Sequence, residues 1–113
     1  MSGSVHVKSK DAQAVQKFVK KTRATLGDTL VALTLFGSKA TGRDVPQSDI
    51  DVLVVVNEAS VAVEDQVLDI AFEVNLEYEV YISPRVIALA TLDHPMWKIT
   101  PFLQAVAREG VPL

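Results

Sequence analysis

A chain of 113 residues, 49% hydrophobic and 22% charged, holds one core that buries about two thirds of its unfolded surface. We therefore expect a single domain over 1–113, with residues 1–9 as a flexible lead. The formal net charge of −3 argues against general nucleic-acid binding, and the absence of cysteine excludes disulfides and thiolate metal sites. No stretch has the length of a membrane span or a signal-peptide core, so a cytoplasmic protein is expected.

Val15, Phe18, Val19, Thr22 and Leu26 recur at helical spacing, predicting a helix from Asp11 to Leu26 that Gly27 stops. Lys17, Lys20, Lys21 and Arg23 lie mostly off that stripe and read as a solvated face. Thr29 to Phe36, short and rich in β-branched and bulky apolar residues, predicts a first strand, and Ile50 to Val56 a second. The second is almost wholly apolar, which suggests burial on both faces in the middle of a sheet. Val63, Val67, Ile70 and Val74 predict a helix from Ser60, its cap, to Asn75. Leu76 to Ile82 alternates and predicts a third strand, with Glu77 and Glu79 on one face. Ser83-Pro84 and Thr100-Pro101 each pair a capping hydroxyl with a proline suited to the first helical position, so two C-terminal helices are expected. The last carries Phe102, Leu103 and Val106 and stops at Gly110.

Chemistry concentrates between the first two strands. Gly37-Ser38 follows the first strand, and Asp49-Ile50-Asp51 heads the second. A glycine without Cβ lets backbone approach an anion closely, and a helix starting near Ser38 would add N–H groups and a positive dipole end. Lys39 and Arg43 supply nearby cations for a triphosphate. Residues two apart on a strand share a face, so Asp49 and Asp51 can reach one Mg²⁺, which prefers carboxylates, waters and phosphate oxygens. Each half alone is an ordinary turn or a polar strand edge; together they are specific.

This pattern, Gly-Ser, a loop of about ten residues and Asp-x-Asp on a strand, resembles the signature of the nucleotidyltransferase superfamily related to DNA polymerase beta. Gly37, Ser38, Ala40 and Gly42 are similar to the family's Gly-Ser-x-Ala-x-Gly loop, and Ser48 precedes the first aspartate as it often does there. Thr41 departs from the pattern, since arginine is common at that place. In length, and in the Gly110-Val111-Pro112-Leu113 ending, the chain looks like a minimal nucleotidyltransferase. The resemblance implies an α+β nucleotidyltransferase fold: a small mixed three-stranded sheet with helices packed on one face. It also implies ATP as donor, two Mg²⁺ ions, and a HEPN-domain partner in a toxin–antitoxin pair. A third carboxylate, as metal ligand or as base for the acceptor hydroxyl, would be Glu79, with Glu77 as the alternative.

The expected activity is transfer of AMP from ATP to a hydroxyl, the best candidate being a tyrosine of a HEPN toxin. Nucleotidylation of a small molecule on a surface supplied by another subunit is a rival. An antitoxin or scaffold that neutralises its partner by contact, with the nucleotide site idle, is a different class of alternative. Self-association stays open. His94 reads as a loop histidine, Met96, Trp97 and Phe102 as closing a small core, and Asp44 as unpaired with the strand acids.

Overall fold

Ile50–Val56 forms a strand, β2, whose six apolar side chains are all buried. Such a run needs cover on both faces and partners on both edges. It receives β1 (Leu30–Phe36), antiparallel, on one edge and β3 (Ile82–Ala88), parallel, on the other. A two-residue strand, β4 (Val111–Pro112), joins the far side of β1, giving the order β3-β2-β1-β4. The computed structural model describes residues 9–36, 49–98 and 100–113, without the side chains of Ser9, Trp97, Lys98, Phe102 and Leu103.

Ile50, Val52, Val54 and Val56 face two long helices, α1 (Ser9–Leu26) and α2 (Val61–Tyr78). Phe18 and Val15 of α1, Val67 and Val74 of α2, and Leu33 and Leu35 of β1 complete that core. Each such side chain contributes about 1.5–3 kcal/mol on burial. Gly27 takes φ 53 directly after α1, a conformation that costs glycine little. Ser60 caps α2 as expected, accepting the Val63 N–H at 3.1 Å. The opposite sheet face carries a smaller cluster of Leu53, Val55 and Ile87. It is covered by Leu92 of α3 (Leu89–Leu92) and Val106 of α5 (Pro101–Glu109), with α4 (Pro95–Lys98) between these helices. Gly110 ends α5 because a Cβ there would lie 2.5 Å from the Val106 carbonyl oxygen and 2.7 Å from Thr34 Cγ2.

The segment after residue 75 differs from its sequence reading. Leu76–Tyr78 continue α2 rather than opening a strand, because Tyr78 extends the buried stripe of Val67, Ile70, Ala71 and Val74. Glu79 ends the helix in the left-handed region at φ 54, a role with no glycine to signal it. The third long strand therefore starts at Ile82, and Ser83-Pro84 lies within it rather than capping a helix. Asn75 holds the junction: its Oδ1 accepts the Ile82 N–H at 2.7 Å and its Nδ2 donates to the Ile82 carbonyl at 3.3 Å. The Tyr81 carbonyl takes the Ile50 N–H, so strand alternation turns the backbone groups of Ile82 and Pro84 away from β2. Proline is tolerated there because no partner strand needs its N–H. The sheet thus has four strands, with short helices over its second face in addition to the two long ones. Three short helices follow β3 instead of two, and the last begins at Pro101 as expected.

The lysine face of α1 is not wholly solvated. Lys21 Nζ meets Glu73 Oε1 at 2.6 Å, and Arg23 donates to the Leu113 carbonyl at 2.8 Å. Thr22, on the apolar stripe, is fully buried, and its Oγ1 has no hydrogen-bond partner among the described residues.

Two stability changes follow. Thr22→Val removes an unpaired buried hydroxyl at constant shape and should raise stability by about 1 kcal/mol. Asn75→Ala strips both partners from Ile82 and should cost about 1–3 kcal/mol. Urea melts of the three proteins check both signs; a less stable Thr22→Val would mean that the hydroxyl is satisfied.

Candidate functional site

β1 leaves the sheet at Phe36 and β2 enters it at Ile50, and the register sets Phe36 directly against Asp51. Phe36 and Asp49, the described residues that bound 37–48, thus both lie beside that carboxylate. Gly37, Ser38, Lys39 and Arg43, together with Ala40, Thr41, Gly42, Asp44 and Ser48, lie outside the described residues. Asp51 shares its face with Leu53 and Val55, away from α1 and α2. Asp49, exposed one step before the strand, continues the same alternation.

On the other side β3 brings Ser83 opposite Asp51 and Arg85 opposite Leu53. Paired residues of neighbouring strands point to one face, so both side chains stand with the acids. The sequence reading missed them because Ser83-Pro84 carries the signature of a helix start. The period-two pattern of Ile82-Ser83-Pro84-Arg85-Val86-Ile87, with proline allowed on an edge, was the available signal.

Asp51 is half-buried, and its pKa is raised above the ordinary 3.8, first by that burial and then by the charge of Asp49, while Arg85 pulls it down. A carboxylate kept from water beside a like charge gains from a divalent cation, and oxygen donors are what Mg²⁺ takes. The pair therefore fits that ion. Glu77 and Glu79 do not share a strand face with each other: Glu77 is an exposed position of α2 and Glu79 its left-handed cap. Glu79 lies two residues before Tyr81, whose carbonyl accepts the Ile50 N–H, so it sits at the same end of the sheet as Asp49. Its surroundings are a shallow groove with Phe72, Leu76 and Tyr81. Among the described residues no three acids or histidines come together to hold a metal ion.

His94 is a turn residue whose Nδ1 accepts the Met96 N–H at 3.1 Å, capping α4. Met96 is exposed rather than closing a core; the Trp97 and Phe102 side chains lie outside the described residues. No described helix is long and apolar enough to cross a membrane.

Residues 15–106 match the family model described as the nucleotidyltransferase domain. A Methanocaldococcus jannaschii protein named as a protein adenylyltransferase is 34% identical over 100 residues, covering 88% of this chain and 94% of the relative. Among solved structures, spectinomycin adenyltransferase from Enterococcus faecialis, with ATP and spectinomycin, superposes with a TM-score of 0.60 at 24% identity. That match covers 90% of this chain and 46% of the other, so the chain spans less than half of that enzyme. A toxin–antitoxin complex with AMP-PNP has a TM-score of 0.56 at 17% identity, covering 93% of this chain and 72% of the other. At these identities the two structures speak for the fold.

An acid whose folded pKa exceeds its unfolded value binds its proton more tightly when folded, so its contribution to stability falls as pH rises through that range. Asp51→Asn should therefore melt at or above the wild type at neutral pH, and the gain should vanish below the ordinary value of 3.8. Added Mg²⁺ should raise the melting temperature of the wild type only. A neutral-pH variant less stable than wild type without metal would contradict the strain assigned to Asp51.

Proposed function

This chain belongs to the nucleotidyltransferase family, and on that premise we propose that it transfers AMP from ATP to a hydroxyl of a partner protein. The partner we infer is a HEPN-domain toxin, with this chain as the antitoxin. The observation that carries the reading is the placement of Asp49 and Asp51 at the head of β2, across from the strand end that leads into Gly37-Ser38. The adenylyltransferase name of the Methanocaldococcus jannaschii relative supports AMP as the transferred group. The neighbours bound to ATP and AMP-PNP support the donor, and the toxin–antitoxin complex supports the partner.

In this proposal Asp49 and Asp51 hold the divalent ion. Mg²⁺, when bound, supplies charge stabilisation to the phosphoryl oxygens and the leaving pyrophosphate. The Gly37 backbone, Ser38, Lys39 and Arg43 grip the phosphates, so the chain's part is chiefly positioning and charge neutralisation. Glu79, the third carboxylate that the resemblance implies, is the left-handed cap of α2 rather than a strand residue, and this proposal gives it no part. The acceptor hydroxyl comes from the partner, a tyrosine being the best candidate, and the cytoplasm is the proposed setting.

Calorimetric titration with ATP should show Mg²⁺-dependent binding that Asp51→Asn weakens at least about tenfold, the loss of a charged ligand. Co-expression with the toxin should leave labelled AMP covalently on it. Tight complexes that form equally with Asp49→Asn and Asp51→Asn and leave no label would favour neutralisation by contact alone.

A further inference from the structure

The two acids have a cation beside them within the protein itself. β2 and β3 run parallel in a register that pairs Asp51 with Ser83 and Leu53 with Arg85. Neighbouring strands lie about 4.8 Å apart and alternate residues about 6.6 Å apart. The Arg85 Cα is thus roughly 8 Å diagonally from that of Asp51, a span that a long side chain crosses. Arg85 is exposed on an edge strand, on the sheet face that also carries Leu53 and Ile87. Its charge is felt at Asp51.

We propose that Arg85 is a triphosphate-binding residue that takes the place of a second divalent ion, so that the site binds ATP with a single metal. This rests on the nucleotide-site reading above, and it replaces the two ions that the family resemblance implies. The register puts a hydroxyl and a guanidinium, not a carboxylate, on β3 where a third acid could face Asp51. A second metal ion would then lack a ligand on that side, and Arg85 would repel it. Charge balance is kept. ATP with two divalent ions and three carboxylates carries the same net charge as ATP with one divalent ion, two carboxylates and one guanidinium. The guanidinium also offers paired N–H donors to phosphate oxygens, which a metal position cannot do without its own ligands.

The test is Mn²⁺ counting by electron paramagnetic resonance at saturating ATP, beside ATP calorimetry, on wild type and variants whose folding is confirmed by circular dichroism. Wild type should bind one Mn²⁺ per chain. Arg85→Ala should weaken ATP about 10- to 100-fold, the loss of a charge-assisted contact, and Arg85→Lys should restore part of it. Ser83→Asp combined with Arg85→Ala should take up a second Mn²⁺. Two Mn²⁺ per chain in the wild type, or undiminished ATP affinity in Arg85→Ala, overturns the role of Arg85 while leaving the nucleotide site standing. A wild type that binds no ATP overturns the nucleotide site and this proposal together.

Discussion

Two neighbouring strands that run the same way must be joined by a crossover, and α2 is the crossover between β2 and β3. Everything at the acid end follows from that geometry. Parallel pairing sets the heads of β2 and β3 side by side, while the antiparallel β1 finishes at the same end. Three chain ends therefore converge around Asp51. The six apolar residues that make β2 an interior strand also give the acids a rigid base, because every side chain behind Asp51 is buried.

Much of this was legible in the residues. Ile50 to Val56 declared itself by unbroken apolarity, and Ser60 and Thr100-Pro101 by their capping chemistry. Gly37-Ser38 and Asp49-x-Asp51 pointed to the candidate site by spacing; the two acids head β2, and Gly37-Ser38 lie outside the described residues. What failed was the junction after Asn75. Leu76-Glu77-Tyr78-Glu79 satisfies a strand alternation and a helix stripe equally well, and the helix wins only because Tyr78 finds the core that α1 and α2 build. That core is a tertiary fact. The left-handed stop at Glu79 is paid for by Asn75, which no local rule connects with Ile82 seven residues on. The consequence reached the site, since Glu77 and Glu79 lost their shared face while Ser83 and Arg85 entered the neighbourhood of Asp51 unannounced.

The candidate site sets stability against its proposed use. Placing Asp51 between Phe36 and Ser83 removes water from a charge that a like charge already disfavours. A fold optimised for stability alone would put an uncharged residue there. That placement makes the acid pair responsive to a counter-ion rather than indifferent to one. Arg85 softens the conflict from an exposed position, where its own hydration is largely kept.

The clamp of Asn75 on Ile82 has a meaning beyond the register of one turn. β3 is one open margin of the sheet, and an open margin invites another molecule's strand to continue the ladder, the route to cross-β growth. Here the first pair of outward groups is already occupied by a side-chain amide of the same molecule, and the next outward-facing residue, Pro84, brings no N–H at all. An incoming strand would have to displace the amide before making its first hydrogen bond. Asn75, which holds the end of α2 to Ile82, and Pro84 therefore keep this margin from being templated by its neighbours, a safeguard that matters most when the chain is crowded at high concentration.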